Sequence, residues 1–375
     1  MFLGGLLLMH PWSSNSGDTT NLTDALFTSA SALFVTGLAV VETGTHWSGL
    51  GQFIILLLIQ IGALGIVTLG AYGAHLFGRK LLYSDKKLLS DDLGIDNKEE
   101  ILSILKEVIL YVLLIEAFGA FLLAWSFFNH GYSLFESVKF GVFHAISAFG
   151  NAGFDIFALG DSGKSFIKVA FAAEIIMFLI IVGGLGYPVW LDVLKKMKYR
   201  KHHRLTYYTK LILWLNLTFI LVGLLAFWLF EYSNRVHLVG AVTHFKESLF
   251  HSVSSRTAGF SVFDLSEMTK SSLIVMMGLM FVGGSPASTA GGIKVISAFL
   301  LILMMKRFMN GDLNLQFKKR SIDPHFTNKA MSTVIISFML VILGSVAIEL
   351  FMTQHSQMFY LKVFLRWEPL VYHWV

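Results

Sequence analysis

Long apolar stretches alternate along this chain with short runs that mix apolar and polar residues. Four stretches carry no charge: Gln52 to Gly78, Leu211 to Phe230, Ser271 to Ile293 and Met331 to Ile348. Two more carry a single glutamate each, Val108 to Phe128 with Glu116 and Val169 to Trp190 with Glu174. All six approach or reach the roughly 20 apolar residues that a membrane-crossing helix needs. Between them one short pattern returns three times: FTSASALFVTGLAV from Phe27, FHAISAFGNAGFDI from Phe143 and FHSVSSRTAGFSVF from Phe250. Each copy reads as a short helix that stops at a glycine followed by a bulky apolar residue: Gly37-Leu38, Gly153-Phe154 and Gly259-Phe260. The third copy is one residue shorter between its Phe250 and Gly259. A period of roughly one hundred residues marks a repeated supersecondary unit in a membrane. Irregular backbone at bilayer depth is tolerated only where protein or a water-filled path satisfies it. The repeat therefore predicts half-helices that dip into the bilayer and return as glycine strands. A surface amphipathic helix would explain Phe27 to Phe34 alone, but not three copies in register.

Composition agrees with the compartment. The chain is 55% hydrophobic and 14% charged, against about 25% charged for a soluble domain. There is no cysteine, which excludes disulfide and thiol chemistry. The net charge of +5 is concentrated in three clusters, and it reads as topology rather than as a nucleic-acid signal. Arg79, Lys80, Lys86, Lys87 and Lys98 follow the first long span. Lys195, Lys196, Lys198, Arg200, Lys201, Arg204 and Lys210 follow the span ending near Trp190, and Lys306, Arg307, Lys318, Lys319, Arg320 and Lys329 the span after Ser271. The positive-inside rule makes these loops cytoplasmic. Two spans and one repeat segment lie between consecutive basic loops. The unit is thus a helix going out, a half-helix dipping in, a glycine strand returning, and a helix going in.

The strings DALFTSASALFVTGL, GQFIILLLIQIGALGIVTLG, FHSVSSRTAGFSV and GGSPASTAGGIKV resemble the Trk/Ktr/HKT superfamily of potassium transporters, most of all the membrane subunit of the Ktr system. The resemblance runs to about Phe359. It implies an all-α integral membrane fold of helix–pore-loop–helix units with pseudo-fourfold symmetry, the fourth unit incomplete here. Unit 1 would span 1–78 with its pore loop at 24–40. Unit 2 would span 99–194 with its loop at 136–155, and unit 3 would span 211–307 with its loop at 245–261. Cytoplasmic loops would fill 79–98, 195–210 and 308–328, and unit 4 would begin at 329. The resemblance also implies potassium uptake across the plasma membrane, the bacterial inner membrane, with sodium as a candidate coupling ion. It implies a homodimer in the lipid bilayer and a cytoplasmic nucleotide-binding regulatory ring. No covalently bound cofactor, enzyme activity or nucleic-acid partner is expected, and no HExxH, G-x-S-x-G or phosphate-binding glycine loop occurs in the sequence.

By the same resemblance a potassium ion is lined by Val35, Thr36 and Gly37, by Asn151, Ala152 and Gly153, and by Thr257, Ala258 and Gly259. Backbone carbonyls can replace the hydration shell of such an ion. Glycine removes the steric cost of turning successive carbonyls to one side. One glycine per unit gives a short filter with modest discrimination. Close packing of membrane helices is the other use of such glycines. The run Gly283, Gly284, Ser285, Pro286, Ala287, Ser288, Thr289, Ala290, Gly291 and Gly292 interrupts an apolar span with residues that unwind helices. By resemblance it is an intramembrane gating loop beneath the filter. A kinked, closely packed helix would use the same residues.

Isolated charges add further expectations. Arg256 precedes the third glycine strand, and a buried cation there needs a partner. We expect a structural strut held by a carboxylate such as Glu247. Glu116 and Glu174, as carboxylates within spans, are functional candidates by default, and the resemblance offers pairing between helices as the other reading. Lys294 reads as a snorkelling cation, and His144 and His251 as matching polar residues of the half-helices. Phe2 to Met9 is too short to span. The tail from Tyr360 reads as out of frame. With tryptophan as TGG, a shifted reading turns Trp367-Glu368 into Gly, His373-Trp374 into Leu and Trp374-Val375 into Gly. Permitted codons elsewhere give FESVSAVGTVGLSLG, a fourth half-helix and filter. The alternative function is accordingly an inactive truncated product of a transporter gene.

Overall fold

The computed structural model describes residues 1–65, 69, 73, 101–157, 169–199, 203–263, 265–311, 316–317, 320–321 and 324–351. The first basic cluster, Arg200, Lys201, Lys318, Lys319 and the tail with its frame-shifted reading lie outside the described residues. Regular structure among the described residues is helical apart from a two-residue antiparallel pair, β1 (Gln316–Phe317) with β2 (Arg320–Ser321), and a single bridge between Ser14 and Trp47; irregular segments link the helices.

Three stretches follow the same order. The first has α1 (Phe2–Met9), a half-helix α2 (Leu22–Leu33), a single turn α3 (Thr43–His46) and the inner helix α4 (Gly49–Leu64). The second has the outer helix α5 (Ile101–Asn129), the half-helix α6 (Leu134–Phe149) and an inner helix in two pieces, α7 (Ala172–Gly184) and α8 (Tyr187–Lys198). The third has the outer helix α9 (Tyr207–Phe230), a short α10 (Tyr232–Val239), the half-helix α11 (Ala241–Ser254) and two inner pieces, α12 (Lys270–Phe281) and α13 (Val295–Met309). A final helix, α14 (Pro324–Phe351), follows.

Hydroxyl residues start many of these helices by accepting an otherwise unpaired backbone N–H. Ser48 does so for Gly51, Thr206 for Thr209 and Thr269 for Ser272. Ser133 and Glu136 form a full capping box at α6.

Among the described residues three helices are long and apolar enough to cross a membrane: Ser103–Asn129, Tyr207–Phe230 and Phe326–Val346. The α7–α8 pair is a fourth candidate, bent by 103°. The chain is a multi-pass membrane protein. In α9 the residues Ile212, Leu215, Asn216, Gly223 and Phe227 face the protein, while Trp214, Leu217, Leu221 and Leu225 are exposed. A helix apolar on both faces, with one face uncovered by protein, is built to meet lipid.

The inner helices differ from expectation in one respect. The stretch from Val169 to Trp190 is not one straight span but breaks at Gly186, at φ +88°. The first inner helix likewise stops at Gly65, at φ +82°, and the third has Gly292 at φ +76°. Left-handed backbone ends a helix, and glycine is the residue that adopts it without strain.

Candidate functional site

The three half-helices α2, α6 and α11 end alike. Each is followed by a left-handed residue, then a residue outside that region, then a left-handed glycine. The angles are φ +54° at Val35 and +68° at Gly37, +56° at Asn151 and +70° at Gly153, and +71° at Thr257 and +83° at Gly259. Thr36, Ala152 and Ala258 sit between them. Left-handed φ costs an L-residue roughly 1–2 kcal/mol, and Val35 and Thr257 are β-branched, the type that resists it most. Such a conformation three times over persists only where the surroundings impose it.

The surroundings are the half-helices themselves. Thr36 N–H donates to the Ser31 carbonyl at 2.7 Å, Ala152 N–H to Ser147 at 2.8 Å and Gly259 N–H to Ser254 at 3.2 Å. The serine side chains then reach forward. Ser147 Oγ donates to the Phe154 carbonyl at 2.7 Å and Ser254 Oγ to the Phe260 carbonyl at 2.5 Å. Each fixes the residue after the glycine. In the first unit Ser31 Oγ is buried without such a partner.

The strands lie against one another. A Cβ on Gly37 would sit 1.9 Å from the Ala152 carbonyl oxygen and 3.1 Å from Gly153 Cα. One on Gly153 would sit 2.4 Å from the Ala258 oxygen and 3.0 Å from Gly259 Cα. The first strand thus abuts the second at Gly37 against Ala152 and Gly153, and the second abuts the third at Gly153 against Ala258 and Gly259. Beyond the third strand a cavity of about 220 Å³ opens, lined by Gly259, Phe260, Met276 and Met280 on one side and Gly37, Leu38 and Ala39 on the other.

The Gly283 to Gly292 run is non-helical, as expected from its composition, and separates α12 from α13. It is docked on the other break. Ser285 N–H donates to the Gly184 carbonyl at 3.0 Å, Thr289 N–H to Gly183 at 3.3 Å, and Tyr187 N–H to Ala287 at 2.8 Å. The glycines permit this, since a Cβ on Gly186 would sit 2.4 Å from the Pro286 carbonyl oxygen and one on Gly183 would sit 2.9 Å from Thr289 Oγ1. The partner segment, GGLGYP at 183–188, was missed from sequence. Its three glycines and proline inside an apolar span were the available signal.

Side chains tie the loop to the strands. Asn151 Nδ2 donates to Thr289 Oγ1 at 2.8 Å, and Thr289 Oγ1 donates to the Phe149 carbonyl at 2.9 Å. Arg256 Nη2 donates to Asn216 Oδ1 at 2.5 Å and to the Gly283 carbonyl at 3.1 Å. Asn216 Nδ2 donates to Ser285 Oγ at 3.0 Å. Arg256 thus ties the third strand to Asn216 of α9 and to the Gly283 carbonyl, and Glu247 does not hold it. Glu247 is taken by Arg235 through Nη2 at 2.9 Å and Nε at 3.2 Å. The fork geometry of that pair satisfies both carboxylate oxygens and leaves Arg256 to neutral acceptors.

The remaining expectations divide. Glu116 does pair between helices, accepting from Gln60 Nε2 at 2.9 Å. Glu174, in the first turn of α7, meets Lys246 of α11 at 2.8 Å. His144 contacts Asp155 at 2.8 Å and is fully buried. Lys294 Nζ donates to the Ala290 carbonyl at 2.8 Å.

A family model described as TrkH, cation transport protein, matches residues 5–365. The chain belongs to the TrkH family of cation transport proteins. Among relatives, the Ktr system potassium uptake protein B of Vibrio alginolyticus is 34% identical, covering 90% of this chain and 74% of its own length. The protein of the same description from Bacillus subtilis is 34% identical over 93% and 77%. The potassium/sodium uptake protein NtpJ of Enterococcus hirae is 31% identical over 92% and 75%. The crystal structure of the potassium transporter TrkH from Vibrio parahaemolyticus shares the fold, with a TM-score of 0.65 at 20% identity over 92% of this chain and 70% of that one. Membership of this family accounts for the helix–half-helix–helix repeat.

Proposed function

We propose that the chain takes up potassium ions through a filter formed by Val35-Thr36-Gly37, Asn151-Ala152-Gly153 and Thr257-Ala258-Gly259. The observation that carries this reading is the shared alternation of left-handed and ordinary backbone in three abutting strands. Alternating the sign of φ turns consecutive carbonyls toward one side of a strand. Strands arranged around an axis then offer rings of oxygens in place of water. The strain at Val35 and Thr257 is the cost of that alignment. With one glycine per strand the filter is short, and its preference for potassium over sodium is moderate. The Enterococcus hirae relative, named for both ions, supports sodium as the second ion.

Gly283 to Gly292 is the gate on this reading. It is irregular backbone on the path, latched to the second strand by Thr289 and to the third by Arg256. Opening breaks these side-chain bonds and the few backbone bonds to Gly183, Gly184 and Tyr187, without unfolding a helix. Likeness to proteins of the Ktr system supports a cytoplasmic regulatory subunit of nucleotide-binding ring type acting on this loop, and a homodimer as the assembly. The four-unit division, with pore loops at 24–40, 136–155 and 245–261, is part of the same proposal.

The test is rescue of a host that lacks potassium uptake, at low external potassium, with wild-type protein and with Gly→Ser at 37, 153 or 259. Growth with the wild type, and loss of potassium preference with intact membrane insertion in the variants, supports the reading. Unchanged relative uptake of the two ions in all three variants refutes it.

A further inference from the structure

A small cavity lies between the second strand, the third strand and the Gly283 to Gly292 loop. Asn151, Arg256, Asn216, Gly184, Gly284 and Ala290 are among its lining residues. The space in it open to a water-sized sphere is about 10 Å³, which is the room that about one water molecule occupies. Two buried polar atoms on its lining residues have no partner: Asn151 Oδ1, an acceptor, and Arg256 Nε, a donor. Asn151 is 2% exposed and Arg256 7%.

The orientation of Asn151 is fixed by its neighbours. Its amide nitrogen faces the Phe149 carbonyl at 3.4 Å, an acceptor only, and donates to Thr289 Oγ1 at 2.8 Å, which in turn donates to the same carbonyl. The oxygen is therefore the end left over. The Arg256 fork is fixed in the same way, since Nη2 is engaged by Asn216 and by Gly283.

We propose that this cavity is a binding site for a single ordered water, which accepts from Arg256 Nε and donates to Asn151 Oδ1. Other small occupants fit less well. A metal cation would face the Arg256 guanidinium. An anion such as chloride is larger than water and would face the Asn151 oxygen. An empty cavity would leave a charged donor and an amide acceptor bare, which is more costly than immobilising one water.

The water closes a loop of hydrogen bonds. The gate segment already meets the second strand through Thr289–Asn151 and the third through Gly283–Arg256. With the bridge, Asn151 and Arg256 also hold each other, so displacing either arm of the gate disturbs both strands. This coupling rests on the filter and gate reading above. The water site itself does not.

The experiment is a density map of the full-length wild-type protein in lipid nanodiscs, at a resolution that shows ordered waters. A peak within hydrogen-bond distance of both Asn151 Oδ1 and Arg256 Nε is expected. An empty cavity, or Nε bonded directly to a protein acceptor, overturns the site whatever the protein transports. The coupling is tested with Val253→Ile, which enlarges a side chain that lines the cavity from α11, a position outside the strands and the gate. A severalfold change in the potassium concentration for half-maximal uptake is expected, with normal insertion and monodisperse protein. An unchanged half-saturation in a variant whose map has lost the peak overturns the coupling and leaves the water and the transport function standing.

Discussion

Gly37→Ala is the smallest change that challenges the strand arrangement. It adds one methyl group at φ +68°, in a place where the new carbon would lie 1.9 Å from the Ala152 carbonyl oxygen. Ordinary contact begins at 3.4 Å, so the first and second strands must separate by about 1.5 Å. Neither partner is a side chain that can swing away. The left-handed conformation adds roughly 1–2 kcal/mol. If the strand relieves this by turning, the ion loses carbonyls by a similar free energy, about a factor of ten for each 1.4 kcal/mol. We expect the potassium concentration for half-maximal uptake to rise at least about tenfold, and the potassium-to-sodium ratio to fall. The assay is rubidium and sodium tracer uptake in a potassium-uptake-deficient host, with surface expression measured in parallel. Gly278→Ala is the control. It lies in helix α12 with nothing within 4 Å of the added carbon, and should leave uptake unchanged. Wild-type half-saturation and ion ratio in Gly37→Ala would show that the strands do not hold the geometry argued above.

Other substitutions probe the supports. Ser254→Ala removes the Oγ bond to the Phe260 carbonyl, at about 0.5–1.5 kcal/mol; differential scanning fluorimetry should show a lowered midpoint, and uptake a reduced potassium preference. Thr289→Val keeps the shape but removes the latch to Asn151 and Phe149; ion flux through proteoliposomes should increase in the absence of any cytoplasmic partner. Arg235→Leu strands Glu247, which is 6% exposed, and should cost about 3–5 kcal/mol, much of it recovered in Arg235→Leu/Glu247→Leu. Thermal midpoints of the single and double variants read this directly.

The repeat was legible because its chemistry is local. A half-helix that ends on a left-handed glycine needs only its own few residues, so Gly37, Gly153 and Gly259 announce it without tertiary information. The interruption at Gly283 to Gly292 was legible for the same reason, since Pro286 and four glycines cannot continue a helix. What it docks against was not. The Gly183–Gly184–Gly186 break looks, in sequence, like small-residue packing inside a span, and the close approach of Gly186 to the Pro286 carbonyl shows its purpose. Partner choice among charges was also hidden. Glu247 is held by Arg235, not Arg256, because α10 is a short helix whose Arg235 comes within hydrogen-bond reach of α11. Spacing along the chain does not reveal that geometry. The left-handed states of Val35 and Thr257 were equally hidden, because β-branched residues are the last to be expected there.

The central claim is that the three glycine strands enclose an ion path lined by carbonyl oxygens. It is tested most directly by locating the ion. Protein prepared in thallium, a heavy stand-in for potassium, and examined by anomalous diffraction should show a peak on the axis between residues 35–37, 151–153 and 257–259, weakened when sodium replaces thallium. Absence of any peak there, or an ion held elsewhere by side-chain carboxylates, would contradict the account.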